Sequence, residues 1–169
     1  MKPCVISIVG TGYVGLSTAV VFAKKGYSVI ASNHDSKKIA MINEGVAPFY
    51  EPELQEALKE VVKGKRLKCT LDNGEAVLNS DISFITVGTP SKPDGSIDLQ
   101  YIKNSAYEIG EALKKKETYH LIVVKSTVLP GTTEKIVKSI IESRSGKSCG
   151  AEFGLCMNPE FLREGSALH

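Results

Sequence analysis

No two cysteines in this chain stand at the C-x-x-C spacing; Cys4, Cys69, Cys149 and Cys156 are scattered singly. Cysteine-rich zinc sites and thioredoxin-like redox centres commonly use that spacing, so both are poor readings and no metal site is expected. A disulfide framework is not called for, because 169 residues suffice for a self-supporting core. The four thiols are read as small apolar residues in a reducing, cytoplasmic setting. Long apolar runs are missing too, and nothing approaches the ~20 residues of a membrane span. The run after Lys2 is broken by Gly10, Gly12 and Gly15 without a convincing cleavage pattern, so it is not read as a signal peptide. Charge of one sign is also lacking. A net charge of +2 carries neither the footprint of a nucleic-acid binder nor a polybasic membrane surface. The local basic clusters, Lys63 to Lys68 and Lys114 to Lys116, read as solvated helix ends and loops. Repeats and low-complexity tracts are absent.

What the chain does have is the stretch Val5-Ile6-Ser7-Ile8-Val9-Gly10-Thr11-Gly12-Tyr13-Val14-Gly15. It reads as a buried strand that breaks into a glycine turn and opens a helix. Gly10, Gly12 and Gly15 have the G-x-G-x-x-G spacing of a dinucleotide fold. The first glycine permits the turn, the second lets backbone approach a pyrophosphate, and the third lets helix and strand pack closely. The helix start then offers free N–H donors and a partial positive charge to the phosphates.

The remaining pattern predicts strands at Ser28 to Ser32, Leu67 to Thr70, Asp81 to Val87, Leu121 to Val124 and Phe153 to Met157. Helices are predicted at Tyr13 to Lys25, Ser36 to Asn43, Glu53 to Val62, Asn73 to Asn79 and Asp98 to Lys116. A last one, capped by Thr132 or Thr133, runs to Ser143. Such alternation argues for an α/β, Rossmann-like, doubly wound and mostly parallel sheet with helices on both faces. Residues 1–169 then form one domain.

Just past the second strand lies Ser32-Asn33-His34-Asp35. An acid that binds the adenosine ribose is expected about 20 residues past the glycines. Asn33 stands there instead. An amide accepts a ribose hydroxyl proton but does not repel a 2′-phosphate, and His34, Lys37 and Lys38 are close by, so NADP is less firmly excluded than usual. Asp35 either joins the site or caps the helix at Ser36. Thr89, at the end of a strand, either touches a cofactor or merely stops the strand with Pro90.

Five segments together resemble the nucleotide-sugar dehydrogenases, the UDP-glucose and GDP-mannose 6-dehydrogenase family. They are Gly10 to Leu16, Tyr50-Glu51-Pro52-Glu53-Leu54, Val87 to Pro90 with Asp94 to Leu99, Lys125 to Thr133, and Asn158-Pro159-Glu160-Phe161-Leu162-Arg163-Glu164-Gly165. The resemblance implies NAD as cofactor and a four-electron oxidation of a sugar C6 alcohol to a carboxylate. UDP-glucose is the favoured substrate, with GDP-mannose or another nucleotide sugar as the alternative. It implies cofactor contacts from Gly10, Thr11, Gly12, Tyr13, Val14, Gly15, Asn33, Lys38, Thr89, Thr127 and Glu164. Thr127, Glu160 and Glu164 are the implied catalytic residues. Glu160 is the favoured base for thioester hydrolysis, and Thr127 orients the water. Glu160, Phe161, Leu162, Arg163 and Glu164 form an implied substrate-binding segment. The family's nucleophilic cysteine, its central dimer-forming helix and its nucleotide-sugar domain are expected beyond His169, and the full-length enzyme is expected to be a homodimer or larger. Without the resemblance, Lys125 would be a solvated or capping lysine. A rival of another class is a non-catalytic nucleotide-sensing Rossmann module.

Overall fold

Parallel strands cannot be joined by tight turns; each crossover needs a dozen or more residues, commonly a helix. The chain supplies at least one between each pair of successive strands. A computed structural model describes residues 4–168. The strands are β1 (Val5–Val9), β2 (Ser28–Ser32), β3 (Leu67–Thr70), β4 (Ile82–Ile85), β5 (His120–Val124) and β6 (Phe153–Met157). The helices are α1 (Tyr13–Lys24), α2 (Ser36–Asn43), α3 (Leu54–Lys63), α4 (Asn73–Leu78), α5 (Gln100–Lys114) and α6 (Lys138–Ser145). The strands form one sheet in the order β3-β2-β1-β4-β5-β6, parallel throughout. The order reverses direction between β1 and β4, which opens a crevice at the carboxyl ends of those strands.

Successive side chains of a strand face opposite ways, so β1 serves two cores. Ile6 and Ile8, with Val29 and Ala31 of β2, pack against Leu16 and Val20 of α1 and Leu54 and Leu58 of α3. Val9, Ile85, Ile122 and Val124 pack on the other face against Ile102 and Ile109 of α5 and Ile141 of α6. Three thiols are partly buried beside these cores, and burial pushes Cys69 up to about 12. Cys156 departs from the expected pattern, since it is exposed on the edge strand β6.

The crossover into α6 also departs from expectation. Neither Thr132 nor Thr133 caps it with a side-chain hydrogen bond. The chain instead makes a π-helical turn, Thr133–Val137, that runs directly into α6, and the Thr133 hydroxyl is buried without a hydrogen-bond partner.

Polar groups are buried near the strand starts, on the α5 face. The Ser80 hydroxyl donates to Ser7 Oγ at 2.9 Å, Ser7 meets Ser83, and Ser83 Oγ lies 2.7 Å from His120 Nε2. Lys116 overturns its reading as a solvated lysine. It is only 8% exposed, and its Nζ donates to the carbonyls of Val77, Leu78 and Ser80 at 3.1, 3.0 and 2.7 Å. A cation is favoured there, because the end of α4 presents unsatisfied carbonyls and partial negative charge. Burial, helped by the charge of Lys116, pulls His120 down from 6.5 to about 4. Folding therefore favours the neutral ring. Its contribution is fully present above pH 6.5 and is lost as the pH falls through about 4. Denaturant titrations across that window should show a loss of about 3 kcal/mol, and His120→Gln should flatten the slope.

Candidate functional site

The turn between β1 and α1 is shaped by what it lacks. Gly10 has φ +103°, a conformation that disfavours any side chain. A Cβ on Gly15 would lie 1.9 Å from the Gly10 carbonyl oxygen and 2.6 Å from Thr86 Oγ1, so α1 sits as close to the turn as atoms allow. Gly12 is different, with nothing within 4 Å of its missing Cβ. Its bare backbone faces open space. Thr86, at the end of β4, secures the turn, its hydroxyl donating to the carbonyls of Val9 and Gly10 at 3.0 and 2.8 Å. No side chain caps α1, and its first turn carries no acid. The first N–H groups and the positive end of the helix dipole thus remain available to an anion. These features fit a dinucleotide pyrophosphate.

A cavity of about 550 Å³ opens beside this turn. That size suits a cofactor site. Of the residues expected at the cofactor, Gly10, Gly12, Asn33 and Lys38 line it, together with His34 and Asp35. Asn33 Oδ1 accepts the N–H of Asp35 at 2.9 Å, which leaves the amide's NH₂ as the group with donors to offer. Asp35 is the helix cap, its Oδ1 accepting the N–H groups of Lys37 and Lys38 at 3.0 and 3.1 Å. Thr11 is fully buried, and its hydroxyl has no hydrogen-bond partner. Tyr13 and Val14 open α1, half-buried.

The remaining expected site residues gather elsewhere at the same end of the sheet. The Thr89 hydroxyl donates to the Thr127 carbonyl at 2.9 Å, which ties the loop after β4 to the loop after β5. Glu160 follows β6 and lines a smaller hollow of about 390 Å³ with Lys125, Asn158 and Leu162, against Thr18 and Phe22 of α1. It does not share the cavity of Asn33. Lys125 Nζ lies 3.0 Å from Glu160 Oε2, an ion pair rather than an aligned hydrogen bond, and donates to Asn158 Oδ1 at 3.1 Å. Both charged side chains are about six-sevenths buried, at 15% and 14% exposure. Glu160 Oε1 accepts the Leu162 N–H. Phe161, Arg163 and Glu164 are exposed, Phe161 at the rim of the same hollow, while Leu162 is half-buried. Lys125, which without the resemblance reads as a solvated or capping lysine, is thus largely buried in an ion pair; its signal was its place directly after an apolar strand. Thr86 was likewise overlooked as a fastening of the turn.

The fold and turn together define a dinucleotide-binding domain. Residues 4–169 match the UDP-glucose/GDP-mannose dehydrogenase family, NAD binding domain. The chain is 48% identical over 163 residues to the GDP-mannose 6-dehydrogenase of Pseudomonas aeruginosa, covering 96% of this chain and 37% of that one. Identity to a UDP-glucose 6-dehydrogenase of Haloferax volcanii is 45% over 163 residues, with the same coverage of each. A solved ternary complex of GDP-mannose dehydrogenase from Pseudomonas aeruginosa superposes with a TM-score of 0.95 over 96% of this chain and 37% of that one. A UDP-glucose dehydrogenase from Pyrobaculum islandicum, 41% identical, gives 0.93 over 99% and 38%. The chain belongs to the UDP-glucose/GDP-mannose dehydrogenase family, as its NAD-binding domain. It spans a little over a third of the length of these relatives.

The two glycines of the turn should fail differently. Gly12→Ala should leave stability within about 1 kcal/mol, because its backbone at φ −72° suits alanine and the space is open. It should still weaken NAD about tenfold or more by calorimetry, since the methyl occupies the approach to the phosphates. Gly15→Ala should cost about 3 kcal/mol or more by chemical denaturation, because the new Cβ meets backbone.

Proposed function

We propose that this chain is the cofactor half of a nucleotide-sugar 6-dehydrogenase that converts a sugar C6 alcohol to a carboxylate in two NAD-dependent steps. The observation that carries the proposal is the sheltered Lys125–Glu160 pair at the same end of the sheet as the uncapped start of α1. A sensor that merely binds a dinucleotide needs the second feature and has no use for the first. NAD supplies the hydride acceptor. The backbone from Gly10 to Gly15 holds the pyrophosphate, and Asn33 and Lys38 meet the adenosine ribose. Thr89, Thr127 and Glu164 lie toward the nicotinamide. Glu160 accepts the proton of a water that Thr127 orients, and the water cleaves an acyl intermediate carried on a cysteine outside residues 1–169. The ammonium of Lys125 fixes the direction of the Glu160 carboxylate. Residues Glu160 to Glu164 bind the sugar nucleotide.

The higher identities fall on GDP-mannose 6-dehydrogenases, at 48% against 45% for the UDP-glucose enzyme. This supports GDP-mannose as the first substrate to assay, ahead of the UDP-glucose that the motifs alone favoured. The same reading makes the full-length enzyme a cytoplasmic homodimer or larger assembly. Among the described residues, no helix is long and apolar enough to cross a membrane.

The full-length protein should release two NADH per nucleotide sugar, with GDP-mannose and UDP-glucose compared directly. NAD binding without oxidation of any nucleotide sugar would leave the sensor reading in its place. Residues 1–169 alone should bind NAD and form no NADH. Asn33→Asp should raise the NAD-to-NADP affinity ratio about tenfold, because a carboxylate repels the 2′-phosphate; equal ratios in titrations of both proteins would refute the ribose assignment.

A further inference from the structure

Glu51 is a carboxylate where carboxylates are rarely found. It lies in the connection between α2 and α3 and is only 5% exposed. Its oxygens accept from three groups remote in sequence. Tyr13 donates its phenol to Oε2, the Gly165 N–H reaches the same oxygen at 2.9 Å, and the Ala167 N–H reaches Oε1 at 2.8 Å. Tyr13 is the first residue of α1, next to Gly12, and its ring packs 5.2 Å from that of Phe49. Gly165 and Ala167 end the segment that begins at Asn158 and carries Glu160 and Glu164. One buried side chain thus joins the cofactor turn to the carboxylate segment.

The chemistry of the joint is specific. Only an ionised carboxylate offers two oxygens that can accept from a phenol and two amides at once. Glutamine would present an NH₂ to one of those donors. Burial, followed by the hydrogen bond to Glu51, pushes the Tyr13 phenol up, which keeps it a donor. The turn at Gly165, with φ +86°, aims both amides at the one side chain.

We infer that Glu51 is a positioning residue: it sets where the Glu160–Glu164 segment stands relative to the dinucleotide turn, so that binding at the turn steadies that segment. The inference extends the proposed function by naming what aligns the carboxylates with the cofactor. It requires NAD binding at the turn and does not require turnover.

Amide exchange of residues 1–169, followed by NMR, tests it. Glu51→Gln should speed exchange at Gly165 and Ala167 about tenfold or more, with Ile8 and Val124 unchanged. NAD should slow exchange at Gly165 and Ala167 about tenfold in the wild type and less than about twofold in Tyr13→Phe, which keeps both amide bonds to Glu51 and removes the phenol through which the turn reaches Glu51 and Gly165. In the full-length enzyme, Glu51→Gln should lower kcat about tenfold while KM for NAD stays within about threefold. Equal NAD protection in wild type and Tyr13→Phe would overturn the inference. So would exchange that rises at Ile8 and Val124 as much as at Gly165 and Ala167, which would mark a purely structural role. Absence of NADH from the full-length protein would count against the dehydrogenase reading, and the exchange measurements would still decide the role of Glu51.

Discussion

Everything at the ligand end depends on one close approach, that of α1 to the turn that precedes it. Gly15 and the Gly10 carbonyl are in contact with no room for a methyl group. That contact aims the axis of α1 at the crevice between β1 and β4. The helix start lies open because no side chain competes for its N–H groups. Thr86 reaches from the neighbouring strand to hold the carbonyls of Val9 and Gly10, so the turn is fastened from outside its own sequence. Close packing, a free helix terminus and a cross-strand clamp are thus one arrangement, and it is the arrangement that phosphates bind.

Buried charge is used differently at the two ends of the sheet. Near the strand starts, Lys116 satisfies three carbonyls and His120 is kept neutral. Those groups hold α4 and α5 to the sheet. At the strand ends, Lys125 and Glu160 pair beside a hollow, and Glu51 gathers donors from two parts of the site. The first set completes the scaffold, and the second lies at the end of the sheet where the glycine turn opens.

The architecture was legible because its signals are local. Short β-branched runs, glycines at strand ends and a cap residue such as Asp35 each act within a few positions, and the strands fall where those signals put them. The glycine turn was legible for the same reason. Lys116 was not, because its partners are carbonyls 36 to 39 positions away and no composition rule distinguishes it from Lys114 or Lys115. Lys125 by itself read as solvated or capping, and its partner Glu160 stands 35 positions later, just past β6. Glu51 sat in a recognisable motif, yet its work is defined by amides 114 and 116 positions later. Tertiary proximity, rather than residue type, assigns those roles.

The strand order has a consequence during synthesis. β1 is the earliest strand in the sequence and ends up between β2 and β4. Its second neighbour is not complete until Ile85. At about 5–20 residues per second, a ribosome leaves that hydrogen-bonding margin unfilled for roughly 4–15 s. The nascent chain therefore carries a half-paired, β-branched ribbon until β4 emerges, covered first by α1 and β2 and then by α3.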